Sequence, residues 1–127
     1  MKRTNRKALS LLALAGLIAV LVPVSMAGEG DAEIAVKGEI LDMACYIAKG
    51  AKGEGHAGCA KACVKGGQPM GLLTDDGTLV LLAADHKDGA PYEALKDLAG
   101  EKASVSGSVA ERDGVKVVTV TGSKKAA

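Results

Sequence analysis

Residues 101–122, EKASVSGSVAERDGVKVVTVTG, alternate apolar or small side chains with polar ones on both sides of one turn signal. Val105, Gly107 and Val109 alternate with Ser104, Ser106 and Ser108, and beyond Asp113-Gly114 come Val115, Val117, Val118 and Val120. Alternation with period two sends successive side chains to opposite faces of a strand, and Asp-Gly supplies the positive backbone angles of a tight reversal. The stretch predicts a β-hairpin with one buried face. Upstream, Met70–Thr74 and Thr78–Leu82 flank Asp75-Asp76-Gly77 and predict a second hairpin. Ile34, Val36, Gly38 and Ile40 alternate with Ala35, Lys37 and Glu39, which predicts a first strand; Leu41 to Ile47 continues it or turns out of it. Residues 48–58, AKGAKGEGHAG, carry four glycines and no apolar side chain beyond Ala, the composition of a flexible loop. Ala57 to Lys65 reads as a short helix stopped by Gly66-Gly67, with Pro69 just beyond. Pro91 opens a second helix, Tyr92 to Ala99, closed by Gly100.

The predicted order is strand, Cys-bearing insertion with a helix, strand, strand, helix, strand, strand. A mainly β domain with two short helices, five strands and a helix between the third and fourth is the pattern of a small OB-like barrel. Residues 101–122 resemble the closing hairpin of small exported OB-fold proteins. An SH3-like barrel or a small open sheet is the alternative.

The N-terminus reads as an address. Lys2, Arg3, Arg6 and Lys7 precede an apolar run from Ala8 to Val24, and Ser25-Met26-Ala27 places small residues at the cleavage positions. Charged, apolar and small-residue segments in that order make residues 1–27 a secretory signal peptide. The competing reading is a retained anchor, but the apolar run is at the lower edge of what spans a bilayer. The rest divides into a Gly/acid-rich leader at 28–31, one domain at 32–122 and a polar, frayed tail at 123–127. Cleavage removes four basic residues and no acidic one, so 12 basic residues face 15 acidic ones and the formal charge becomes −3. A mildly acidic, exported domain with no Phe or Trp and only Tyr46 and Tyr92 has neither the basic groove nor the stacking aromatics of a nucleic-acid binder. No membrane association is expected after cleavage, and the protein is expected in the periplasm or outside the cell.

The chemistry concentrates between residues 45 and 63. Cys45, His56, Cys59 and Cys63 are the three cysteines and one of the two histidines of the chain. In HAGCAKAC a helix sets His56, Cys59 and Cys63 on one stripe, and the loop before them is long enough to bring Cys45 back. Three thiolates and an imidazole are the donors a soft or borderline ion selects, copper or zinc. Met43 and His86 are possible additional ligands, although Met43 also suits a core and His86 a solvated loop. The competing reading is a disulfide joining Cys45 to Cys59 or Cys63, which would contribute roughly 3 kcal/mol in an oxidising compartment. It leaves one thiol over, and the two readings stand level. A third reading is thiol–disulfide exchange at Cys59, activated by His56 and the helix start. It lacks a CxxC motif and a thioredoxin-like βαβ order.

No CxxCH motif is present, which excludes standard covalent haem attachment, and no nucleotide fingerprint, phosphate loop or Ser/His/Asp arrangement is found. The expectation is therefore a binding module rather than an enzyme, with an envelope protein as a possible partner. GEILDMACYI (residues 38–47) and HAGCAKACVKGGQPMGLLTDDGTLVLL (residues 56–82) resemble a group of small uncharacterised secreted bacterial proteins. These share a Cys-Tyr, His-x-x-Cys-x-x-x-Cys and Gly-x-Pro-x-Gly-Leu-Leu pattern. The resemblance groups these residues together and implies no activity.

Overall fold

The five apolar–polar runs become five strands that close on themselves. In the computed structural model, which describes residues 32–127, these are β1 (Ala32–Asp42), β2 (Met70–Thr74), β3 (Leu79–Ala84), β4 (Lys102–Arg112) and β5 (Val115–Lys125). The export segment expected at 1–27 and the leader at 28–31 lie outside the described residues. The strands form a closed barrel in the order β1-β2-β3-β5-β4, with β3 and β5 parallel and the other pairs antiparallel. This is an OB-like barrel, and closure rules out the small open sheet.

Closure depends on β1, which serves two neighbours. Ala32–Glu39 pair with β4, and Gly38–Asp42 pair with β2. At the crossover Gly38 is paired on both sides, and a Cβ there would run into the backbone carbonyl of Leu73. A glycine is required because two strands converge on its Cα.

The inward face is aliphatic. Ile40, Met70, Leu72, Val80, Leu82, Val105, Val118 and Val120 fill the barrel. Of the four valines expected along β5, Val118 and Val120 point in, whereas Val115 is 49% exposed. The adjacent Val117-Val118 pair breaks the alternation, and the pairing between β4 and β5 shifts between Ser106 and Gly107. Burial of roughly ten such side chains, at about 1.5–3 kcal/mol each, supplies the main force opposing chain entropy.

Three α-helices are present among the described residues, against the two expected. The additional one, α1 (Met43–Lys49), occupies a run that was expected to continue the first strand or turn out of it. Asp42 ends β1 and caps α1, its Oδ1 accepting from the backbone N–H of Ala44 at 3.0 Å and of Cys45 at 3.4 Å. Gly50, with φ of 67°, ends the helix in the left-handed conformation. A 3-10 turn (Glu54–His56) leads into α2 (Ala57–Lys65), whose limits are those expected from the sequence. The insertion thus falls between the first and second strands, as expected. The third helix, α3 (Ala90–Leu95), has proline in its first turn, and a 3-10 turn (Lys96–Leu98) continues it; Leu95 and Ala99 are fully buried in the core.

The C-terminal tail also differs from expectation. Residues 123–125 belong to β5 rather than to a frayed end, because the first residues of β4 pair with them: Ala103 opposite Lys125 and Val105 opposite Ser123. Lys125 Nζ also meets Glu101 Oε2 at 2.6 Å. Polar side chains do not weaken a strand whose backbone has a partner.

Candidate metal centre

The helical insertion is pinched at its base. The N–H of Met43 donates to the carbonyl of Pro69 at 3.0 Å, and that of Gln68 to Cys63 at 3.1 Å. The first turn of α1 is therefore held against the end of α2, and Cys45 meets Cys63 across that junction. On α2 one helical period supplies two adjacent stripes. Ala60 and Val64, four residues apart, are buried in the barrel core, while Cys59 and Cys63 occupy the neighbouring stripe. Lys61 to Glu101 at 2.6 Å and Lys65 to Asp97 at 2.5 Å tie the helix to the segment ahead of β4.

The result is a cluster of donors. The sulfurs of Cys45, Cys59 and Cys63 lie within 4.8 Å of one another. All three cysteines are free thiols, so neither disulfide, Cys45 with Cys59 or Cys45 with Cys63, is formed. Cys45 and Cys63 are half-buried and Cys59 is exposed. His56, expected as the fourth ligand of the same set, groups instead with Asp42 and Cys45, again with donor atoms within 4.8 Å. The four expected ligands thus fall into two triads that share Cys45.

Asp42 is the residue that sequence reading missed. It is 1% exposed, and while Oδ1 caps α1, the buried Oδ2 has no hydrogen-bond partner. The Nε2 atom of His56 is likewise buried and unpartnered. Two orphaned polar atoms in one small site are costly unless something satisfies them. The only signal in the sequence was its spacing, three residues before Cys45.

The carboxylate also governs the thiols. The Asp42 carboxylate beside it, followed by desolvation and the neighbouring Cys59, pushes the Cys63 thiol up to about 12. Cys45 is raised as well, first by the adjacent Asp42 carboxylate and then by desolvation. Burial would raise Asp42 itself, but the adjacent Cys45 and Cys63 thiols and the backbone N–H groups of Ala44 and Cys45 outweigh it and lower its pKa. At neutral pH Cys45 and Cys63 therefore hold their protons, unlike the low-pKa thiolates of disulfide exchange. A metal ion bound there must displace those protons.

The remaining candidates stand elsewhere. Met43 is buried with its sulfur against Gly71, so it packs rather than ligates. His86 is exposed in the turn after β3, where Asp85 Oδ1 accepts from the N–H of Lys87 at 2.7 Å; it joins neither triad. A groove of about 730 Å³, lined among others by Glu39, Glu54, Glu101, Lys102 and Lys125, runs past the start of α2. Several of its charges are engaged, Glu101 with Lys61 and Lys125, and Lys102 with Asp75, while Glu39 accepts from the N–H of Gly53. The groove carries no comparable set of donors, so the cluster beside it is the better candidate for chemistry.

Comparison of the chain with protein-family models, with curated proteins and with solved structures returned no match. The functional reading therefore comes from the chemistry of the cluster.

Proposed function

We propose that the protein is an exported binding module that takes up a soft or borderline metal ion, copper or zinc, on Cys45, Cys59 and Cys63, for storage or delivery. The observation that carries this reading is the convergence of three free thiols from two helices within 4.8 Å. Three sulfurs bonded at about 2.3 Å to a common ion in one plane lie about 4 Å apart, so small side-chain rotations suffice to close the triad. Exposure of Cys59 favours cargo over a sealed structural ion, because an incoming ligand has a sulfur it can approach. Secretion to the periplasm or beyond rests on the sequence of residues 1–27, and the mildly acidic mature surface suits a soluble carrier better than a nucleic-acid binder.

The test is metal content together with thiol content. Protein purified from an exporting host without chelators should carry metal bound by three thiolates, and the double substitution Cys59→Ser with Cys63→Ser should abolish that three-sulfur ion. Alkylation under denaturing conditions should count three free thiols. One free thiol and no metal would instead establish a disulfide-stapled barrel that binds an envelope partner.

A further inference from the structure

We infer that the Cys45 thiolate bridges two metal ions, one shared with Cys59 and Cys63 and a second shared with Asp42 and His56. The inference deepens the metal-binding reading and rests on it. Its first support is geometric. The donors do not form one set of four; they form two sets of three, each with all its donor atoms within 4.8 Å, and Cys45 is the member common to both. A three-coordinate ion with bonds of about 2.0–2.3 Å needs donors roughly 3.5–4 Å apart, so each triad is near the size that encloses one ion. A thiolate sulfur carries enough lone pairs to bind both.

The second support is the pair of orphaned atoms. Asp42 Oδ2 and His56 Nε2 are both buried and without a partner, and both belong to residues of the second triad. An ion on the three sulfurs alone leaves Asp42 Oδ2 without a partner. A cation between Asp42 and His56 satisfies both residues at once, while Asp42 Oδ1 keeps its cap on α1. Carboxylate and imidazole are harder donors than thiolate, so this second position suits a borderline divalent ion such as zinc.

The third support is charge. One divalent ion on three thiolates leaves a net charge of −1, and the Asp42 carboxylate beside it adds another. None of the ion pairs among the described residues involves Asp42. Once metal displaces the thiol protons beside it, only the backbone N–H groups of α1 stabilise that charge. A second divalent ion balances the four anionic ligands. The stoichiometric binding step then releases the thiol protons to solvent and transfers no electron.

The experiment is native mass spectrometry of the full chain titrated with Zn²⁺ in reducing buffer, with ¹¹³Cd NMR of the cadmium form as a second readout. Asp42→Asn retains a capping side chain, so loss of the fold does not confuse the result. The wild type should bind two ions per chain and give two cadmium resonances coupled through the shared sulfur. Asp42→Asn and His56→Gln should each weaken the second ion at least tenfold and leave the first, thiolate-rich resonance in place. One ion per chain in the wild type, unaffected by either substitution, would overturn the bridge and leave the thiolate site standing. No bound ion at all would overturn both readings.

Discussion

Val64→Ala separates the two stripes of α2. Val64 is fully buried and, with Ala60, supplies the helix's buried contacts with the barrel core. Removing two methyl-sized groups costs about 1.6 kcal/mol in transfer free energy, and a residual cavity raises the loss to about 2 kcal/mol. Urea denaturation of the metal-free protein should show that loss as a lower midpoint with an unchanged slope. Cys63→Ser, one residue earlier on a half-buried stripe, should change metal-free stability by less than about 1 kcal/mol, because its side chain fills no core position. Metal should reverse the ranking. An ion present at 100 times its dissociation constant stabilises the folded state by about 2.7 kcal/mol, enough to offset the Val64→Ala loss. The same ion should give Cys63→Ser much less. If Val64→Ala costs under about 0.5 kcal/mol, or if zinc stabilises Cys63→Ser as strongly as the wild type, the division of α2 into a core stripe and a ligand stripe is wrong.

Three further outcomes follow from single side chains. Asp42→Ala should lose about 1 kcal/mol through the lost α1 cap, whereas Asp42→Asn should lose only a few tenths in the metal-free protein, both read by thermal or urea unfolding. Glu101 is held near a pKa of about 2, below its ordinary 4.5, by hydrogen bonds and charge from Lys125 and Lys61. A depressed pKa means stability that is fully present above about 4.5 and lost as pH falls towards 2. The urea midpoint of metal-free Glu101→Gln should therefore trail that of the wild type at neutral pH, and the gap should narrow across that window. His86→Ala should leave zinc affinity within twofold of the wild type in a competition titration with a chromophoric chelator, because His86 joins neither triad.

Much of the barrel was legible because its signals are local. The β2–β3 and β4–β5 hairpins announce themselves by alternation around Asp-Gly turns, and the Gly66-Gly67 stop and Pro91 start bound their helices. The α1 segment was harder to read because MACYI is short and apolar enough to suit strand or helix. What decides it is a side chain–backbone bond from Asp42 and a left-handed Gly50 eight residues later. The end of the C-terminal strand carries no sequence signal because Ser123, Lys124 and Lys125 have no apolar face, yet their partners on β4 hold them. At the site, the spacing of Cys59 and Cys63 already gave two convergent thiols. The return of Cys45 depends on the long-range bond between Met43 and Pro69, and the recruitment of Asp42 depends on α1 existing at all. Neither is written in a local pattern.

Three sulfurs sharing one ion leave a distinct spectroscopic signature. X-ray absorption at the zinc edge, on protein loaded with one equivalent, measures this directly. The expected spectrum has about three sulfur neighbours near 2.3 Å, reduced to about one in the Cys59→Ser, Cys63→Ser double variant. A first shell of nitrogen and oxygen alone, at about 2.0–2.1 Å, would contradict it.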